Sequence, residues 1–430
     1  MRISPARIAA YEVLLRINKE RGYSSVLLPS VESGLSTADR SLCHELTLGT
    51  LRRQLYLDRV IESFSRAKNI DPEVRVALRL ALYQLYFLDR IPAYSAIDES
   101  VNLVKRAKKT SATGFTNAIL RRAAAGPPEL NFIDQIDRIS VESSHPRWLL
   151  EKWINDLGHE RAVRIADANN RPAGAAFRYL NGAKRQLLGA GAKASEYVDG
   201  CFVTDRIDDN LLELAAKGEI YFQDEASQMV ARSVTVPDNG YFFDVCAAPG
   251  GKTGLIESRY RGKVVAVAGD IHRHRVETLR NNFHWQRADA VSIVQYDAAA
   301  SLPFAGNTFD TVLVDAPCTG TGTIRHNPEI RYSLEPGDLE ELPLKQLSIL
   351  TNASKLVKPH GLLVYSTCSL EPEENEAVCK YFLSLGSHFE LTSPNIDSKF
   401  LTEYGFGRTW PDRDNMEGFF VAHFRRTREH

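Results

Sequence analysis

Apolar residues recur at helical spacing through the first 127 positions. Ile8, Ala9, Tyr11, Val13, Leu14, Leu15 and Ile17 form one stripe, Leu42, Leu46, Leu48, Leu51, Leu55 and Leu57 a second, and Val74, Val76, Leu78, Leu80, Leu82 and Leu85 a third. A three-to-four-residue period predicts amphipathic helices packed on one another. Asp71-Pro72-Glu73 predicts a helix start, with a capping oxygen, then proline at the first helical position, then an acid at the positive end of the dipole. Arg90-Ile91-Pro92 predicts where that helix ends, and Gly126-Pro127-Pro128 closes the region.

A short helical piece around Trp148, Leu149, Leu150, Trp153 and Ile154 follows, then a loop at Asn169-Asn170-Arg171-Pro172. From residue 219 the pattern changes to short apolar runs separated by helical stretches. Tyr241–Val245, Val264–Ala268, Ala290–Val294, Thr311–Val314 and Leu362–Tyr365 are expected strands, and Gly418–Phe424 a closing strand or hairpin arm. The alternation predicts a mainly parallel, Rossmann-like sheet with helices on both faces, whose ligands bind outside the carboxyl ends of the strands. The expected fold class is multidomain, an all-α front joined to an α/β back. The expected boundaries are a helical domain over 1–127, a linker and small appendage over 128–218, and a catalytic domain over 219–430.

Composition narrows the class. With 43% hydrophobic and 25% charged residues the chain reads as an ordinary globular protein, and no stretch has the roughly 18 uncharged apolar residues a membrane span needs. No secretory signal is expected from the N-terminal sequence. The six cysteines (43, 201, 246, 318, 368 and 379) have no paired spacing, which argues against a disulfide framework or a CxxC zinc site and for a reducing cytoplasm. A net charge of -1 hides an asymmetry: residues 1–127 carry 20 Lys+Arg against 12 Asp+Glu, and the remainder is correspondingly acidic. A basic front suits a polyanion, although a solvated helical surface explains the charge equally well. Lys105-Arg106-Ala107-Lys108-Lys109 and Arg121-Arg122 are the phosphate-contact candidates, with Arg325-His326 a further candidate contact to the same polyanion. His272, His274 and His284 lack carboxylates at ligand spacing, so no metal is expected.

Asp244-Val245-Cys246-Ala247-Ala248-Pro249-Gly250-Gly251-Lys252-Thr253 follows the first expected strand of the sheet and opens a helix. Small residues there allow close backbone approach to a ligand. The spacing is neither a Walker loop nor a dinucleotide fingerprint. Asp270 ends the second strand, where a carboxylate takes ribose hydroxyls, Asp297 follows the third, where it reaches an adenine edge, and Asp315 ends the fourth. Three acids at successive strand ends suit a nucleoside with a cationic sulfonium better than a pyrophosphate. For Asp297 the simple role of capping its own loop competes strongly.

Two thiols share that edge of the sheet. Cys318 lies in Asp315-Ala316-Pro317-Cys318-Thr319-Gly320-Thr321-Gly322, and Cys368 in Thr367-Cys368-Ser369-Leu370-Glu371-Pro372-Glu373-Glu374-Asn375-Glu376. Cytosine C5 is a poor nucleophile. A thiolate that adds to C6 makes the ring enamine-like, so that C5 can attack a methyl sulfonium. An acid near N3, such as Asp315, assists addition, and a second group, such as Cys318, assists elimination. Cys43, Cys201 and Cys379 read as core filler, and Cys246 as a small packing residue.

These motifs resemble the Nol/Nop/Sun family of S-adenosylmethionine-dependent RNA cytosine-C5 methyltransferases. The match extends to Phe222-Gln223-Asp224-Glu225-Ala226-Ser227 and Glu417-Gly418-Phe419-Phe420. Residues 1–127 look like the helical RNA-binding domain of the NusB family, and the two parts together resemble the small-subunit (16S) rRNA enzymes of the RsmB (Sun) type. The resemblance implies that Cys246, Ala247, Ala248, Pro249, Gly250, Gly251 and Lys252 cradle the methionine part of S-adenosylmethionine, Asp270 its ribose and Asp297 its adenine side. It implies Asp315 near the base and cofactor, Cys368 as covalent nucleophile and Cys318 as the group that assists release. It further implies a monomer acting on 16S rRNA, free or in a partly assembled subunit. Departures fall at Phe177-Arg178-Tyr179-Leu180-Asn181 and at Asn415-Met416-Glu417-Gly418, which leave catalysis intact and bear on RNA placement by the middle segment, and at Thr319 and Thr321, which are expected to retune the base pocket. A tRNA or DNA cytosine methyltransferase, a noncatalytic RNA-binding protein and a nucleotide-dependent dehydrogenase are the alternatives; the intact thiol motifs disfavour the last two.

Overall fold

The computed structural model describes residues 3–20, 22–65, 67, 69–180, 191–386 and 388–427, so Asn181 lies outside the described residues. The chain divides into two compact units, Met1–Pro172 with Ile324–Leu334, and Ala173–Thr323 with Glu335–His430.

The first unit is helical: α1 (Pro5–Glu20), α2 (Ser24–Glu32), α3 (Thr37–Arg52), α4 (Gln54–Phe64), α5 (Pro72–Phe87), α6 (Ala93–Arg106), α7 (Thr113–Ala123), α8 (Gln135–Ser143), α9 (Arg147–Leu157) and α10 (His159–Asn170). The three sequence stripes supply its core, and Leu46, Leu57, Leu78, Leu80 and Leu82 have no solvent exposure. Helix α5 is buried nearly all round because α1, α3, α4, α6 and α7 pack on it. It starts at Pro72 as expected, but Asp71 does not cap it. Its carboxylate pairs instead with Lys109 Nζ at 2.9 Å. Ser36 and Asp134 do cap, accepting from the Asp39 and Asp137 amides.

Residues 324–334 complete this unit. Arg331 is wholly buried and donates to Asn170 Oδ1 at 2.9 Å and to the Ser143 and Ser144 carbonyls at 3.3 Å. Burial among these neutral acceptors lowers its pKa to about 10. Glu329 accepts from Ser24 N at 2.6 Å, and Tyr332 donates to Leu51 O at 2.7 Å. Arg331→Met removes the shared donor from several buried acceptors, and stability should fall by about 2 kcal/mol. Chemical denaturation of the full chain measures this, and an unchanged midpoint would contradict it.

The second unit holds two sheets. Strands β1 (Ala175–Tyr179), β2 (Lys193–Ala194), β3 (Cys201–Thr204) and β4 (Ile220–Phe222) form an antiparallel sheet in the order β2-β3-β1-β4, with α11 (Asp209–Ala216) before β4. The sequence from 128 to 218 therefore contributes α8–α10 to the helical unit and β1–β3 with α11 to the second.

The larger sheet follows α12 (Glu225–Ser233). Its parallel part is β5 (Tyr241–Asp244), α13 (Gly251–Arg259), β6 (Val265–Asp270), α14 (Arg273–Trp285), β7 (Ser292–Gln295) and β8 (Phe309–Asp315). After the 324–334 excursion, which carries α15 (Ile330–Ser333), the chain returns as α16 (Asp338–Ser354) and β9 (Val357–Thr367). It ends with α17 (Glu376–Ser384), β10 (Phe389–Thr392), β11 (Gly407–Arg408) and β12 (Phe420–Arg426). The order is β10-β12-β9-β8-β5-β6-β7, with β11 against β12. Pairing is parallel from β7 to β9 and antiparallel at β12 and β10. The sheet is apolar on both faces, one packed with Phe242, Leu313 and Val364, the other with Phe243, Val312, Leu363 and Tyr365. Strand order reverses between β5 and β8, which places the crevice of an open α/β sheet beside the loops that follow those two strands. Among the described residues, no helix is long and apolar enough to cross a membrane.

Candidate active site

The glycine loop occupies the turn from β5 into α13. Gly250 sits at φ +99°, and a Cβ there would approach Phe283 at 2.8 Å, so a side chain is excluded twice over. Helix α14 holds the loop by its carbonyls. Arg275 donates to Ala248 O and Asn282 to Pro249 O, both at 2.8 Å, and Gln286 donates to Gly250 O at 3.3 Å. Gln286 and Gln223 in turn accept from Arg178, which is stacked on Tyr221. Sequence reasoning missed this support, since Arg178 on β1, Gln223 after β4 and Gln286 after α14 are too far apart in the chain to carry a spacing signal.

Asp270 is almost fully buried at the end of β6, with Arg275 Nε 3.5 Å away. Asp297 is exposed, and its Oδ1 accepts from the Ala299 amide at 2.9 Å, as a loop cap does. Asp244, to which the sequence assigned no role, is buried with Oδ2 accepting from Thr253 Oγ1 at 2.6 Å and Oδ1 without a partner. Burial pushes its pKa up to about 7. Cys246 is partly buried against the core, and burial raises its thiol.

Asp315, at the end of β8, accepts from Lys252 Nζ at 2.8 Å and from Ser366 Oγ at 2.7 Å. Burial disfavours the Lys252 charge, yet the Asp315 carboxylate outweighs it and holds the ammonium above its ordinary value. Lys252 also lies 4.9 Å from the centre of the Phe419 ring. The geometry thus turns the Lys252 ammonium from the glycine loop toward Asp315 and Phe419, within electrostatic reach of Cys368.

The two cysteine motifs meet. Cys318 Sγ and Cys368 Sγ are 3.4 Å apart, both partly exposed. Its hydrogen bond to Cys368 and its burial push the Cys318 thiol well above the usual range. The approach depends on two glycines. A Cβ on Gly322 would lie 2.0 Å from Gly418 O, and one on Gly418 would lie 2.9 Å from Gly322 Cα. Gly322 N donates to Cys368 O at 2.9 Å and Gly418 N to Gly322 O at 2.8 Å, so three motifs distant in sequence share one backbone junction.

Some expectations are revised. Thr319 and Thr321 are buried, and both hydroxyls bond to Ser369 Oγ in the second motif. Arg325 is buried within the helical unit and donates to Pro172 O at 3.0 Å, so it is not a free RNA contact. His272 and His274 stack on each other at the surface, and His284 lies 3.3 Å from Asp289. In the basic run, Arg106 pairs with Glu12 and Lys109 with Asp71, while Arg122 lies over Phe64. Lys105, Lys108 and Arg121 are exposed.

Residues 233–425 match the family model of the 16S rRNA methyltransferase RsmB/F, and residues 4–125 that of the NusB family. The chain is 33% identical to a probable ribosomal RNA small subunit methyltransferase B of Bacillus subtilis, over 91% of this chain and 90% of that protein. It is equally identical, over 88% of each chain, to the ribosomal RNA small subunit methyltransferase B of Pseudomonas putida. The crystal structure of PH0851 shares its fold across 99% of both chains, with a TM-score of 0.85 at 24% identity. A methyltransferase homologue from Pyrococcus horikoshii covers 68% of this chain and 98% of its own, with a TM-score of 0.57 and 28% identity. A glycine loop and two thiol loops at the strand ends of an α/β sheet, preceded in the chain by a NusB-family helical domain, are thus parts of one known architecture, and the chain belongs to the RsmB/F family of 16S rRNA methyltransferases.

Proposed function

We propose that the protein methylates carbon 5 of a cytosine in small-subunit rRNA, with S-adenosylmethionine as donor and Cys368 as transient covalent nucleophile. The observation that carries this reading is the 3.4 Å separation of Cys318 and Cys368 beside the Lys252–Asp315 pair. The residues around the glycine loop fit the cofactor: Gly250, pressed on Phe283 and Leu279, lets the loop turn tightly against α14, Asp244 beneath it keeps a buried acceptor oxygen without a partner, and the strand-end carboxylates suit a cationic nucleoside. Cys246 through Lys252 would hold its methionine part, Asp270 its ribose and Asp297 its adenine side. When bound, the cofactor supplies an electrophilic methyl group to C5.

The chain's own residues do the rest. Cys368 thiolate adds to C6, and the displaced π electrons raise the density at C5. Asp315, oriented by Lys252 and Ser366, carries a proton to N3 as the thiolate adds, so that the added ring is neutral, and takes it back as the C6–S bond opens. After methylation the C5–H bond breaks. Its proton passes to the Cys318 sulfur, its electron pair forms the C5=C6 bond, and the C6–S bond opens to return Cys368 thiolate. The target base reaches these thiols only unpaired or extruded from its helix.

The deciding experiment is radiolabelled methyl transfer to undermethylated small-subunit rRNA, large-subunit rRNA and tRNA, followed by nucleoside analysis. Label in 5-methylcytidine from small-subunit rRNA is expected; label only in tRNA, or in another nucleoside, overturns the reading. For the helical domain, Lys105, Lys108 and Arg121 are the phosphate contacts. Replacing all three by Ala should flatten the dependence of log affinity on log salt by about 2, at roughly 0.7 for each contact to single-stranded RNA. An unchanged slope in filter binding places the contacts elsewhere. Adjacent reduced thiols and an rRNA substrate suit a monomeric enzyme of the cytoplasm, needing no metal.

A further inference from the structure

The loop that carries Cys368 runs on to Glu374, whose carboxylate has no solvent exposure and lies beside the first cysteine motif. Its Oε1 accepts from the Thr319 amide and from Gln346 Nε2, each at 2.9 Å, and its Oε2 accepts from Thr319 Oγ1. Gln346, on α16, also donates to Pro317 O at 2.9 Å. The peptides on either side of Cys318 are thus gripped, one by Glu374 and the other by Gln346, and the two grips are bonded to each other. Tyr365, three residues before Cys368, donates to Glu374 O at 2.6 Å, which ties this clamp to β9.

A buried carboxylate carries a desolvation cost that an apolar side chain would not. What it provides here is two acceptor oxygens fixed relative to the strand that presents Cys368. The Cys368 side of the site has other anchors. Strand β9 is paired on both edges, and Asn375 Nδ2 donates to Ser369 O at 2.9 Å. The Cys318 side leaves the sheet at Asp315, and its turn is held by this clamp, by the Thr319 and Thr321 hydroxyls on Ser369 Oγ and, further on, by the Gly322 junction; of these, only the clamp holds both peptides that flank Cys318.

We infer that Glu374 is a positioning residue for product release, holding the Thr319 peptide so that the Cys318 thiol stays opposite Cys368. The inference rests on the reading above, in which Cys318 takes the C5 proton. Loss of the clamp lets the Cys318 loop drift while the addition step retains its nucleophile, and a misplacement of about 1 Å costs on the order of a hundredfold in a positioned step. A residue with a merely structural role would lower addition and release together. A positioning residue for release makes the covalent protein–RNA adduct accumulate.

The experiment follows Glu374→Ala, Glu374→Gln and Cys318→Ala in the full chain with an undermethylated small-subunit rRNA fragment. It measures first-turnover methyl transfer, steady-state turnover and the denaturant-stable adduct on gels. For Glu374→Ala, first-turnover transfer should stay within about threefold of wild type while turnover falls about tenfold or more and the adduct rises. Glu374→Gln, which keeps one acceptor for the Thr319 amide, should lie between it and wild type. Equal losses in both rates with no adduct, or no change in either, overturn the inference. If Glu374→Ala fails to fold, as judged by loss of S-adenosylhomocysteine binding, Glu374→Gln decides by the same criteria. Trapping by Cys318→Ala without trapping by either Glu374 variant overturns the Glu374 role alone. No trapping by Cys318→Ala removes the release reading, and the Glu374 role falls with it.

Discussion

Cys368→Ala should lower methyl transfer by about a thousandfold or more, because it removes the atom that activates C5 and leaves only binding and orientation. Cofactor affinity should stay within about threefold, since the glycine loop is held by α14 and not by the thiol. The fold should also survive. The structural bond of residue 368 is made by its carbonyl, which accepts from Gly322 N and persists in alanine, and its side chain is partly exposed. Transfer assays with labelled donor, paired with calorimetric titration of S-adenosylhomocysteine, separate the two effects. Transfer near the wild-type rate would remove Cys368 from the nucleophile's role, and joint loss of transfer and binding would mark it as part of the cofactor site.

The strand ends were legible because parallel strands buried on both faces leave short apolar runs, and the chain changes character at once where they stop. Asp244-Val245-Cys246, Val314-Asp315 and Tyr365-Ser366-Thr367 are three such changes, and each lies where the structure opens a site loop. The small sheet was not legible. Its strands are two to five residues long, and they hold only through pairings such as Phe177 with Phe202 and with Phe222, which local pattern does not encode. The excursion of 324–334 into the helical unit escaped for a similar reason, since Arg331 meets its partners about 160 to 190 residues away in sequence. Arg325 shows the opposite error: a basic residue beside a thiol motif reads as an RNA contact until its burial is known. Glu374 stood in a recognised motif, but an acid in a polar run gives no hint that it is buried or that Thr319 is its donor. Chemistry that needs particular residue types shows in the sequence. The hydrogen bonds that aim those residues do not.

Cys318→Ala carries the second large effect and tests the other half of the chemistry. Addition and methylation need only Cys368 and the donor, so this variant should complete both and then stall with C5 methylated and C6 still bonded to sulfur. Most of the active enzyme should then run on a denaturing gel as a protein–RNA complex, and multiple turnover should fall by about a hundredfold or more, the usual loss when a positioned general base is removed. The pH dependence gives an independent sign. The Cys318 thiol is held up first by its hydrogen bond to Cys368 and then by burial. Bonding Cys368 to C6 removes the first influence, and the second remains. Only the thiolate can take the C5 proton, so release by the wild type should climb with pH, by about tenfold per unit while the thiol is still mostly protonated. In Cys318→Ala the climb should vanish, because water then serves as base at every pH. A complex that persists in the Cys318→Ala/Cys368→Ala double variant would show the bond to lie elsewhere. A release rate in Cys318→Ala with the wild-type slope would assign the proton to another group, and the raised thiol of Cys318 would then be a consequence of its packing against Cys368 and not a part of the mechanism.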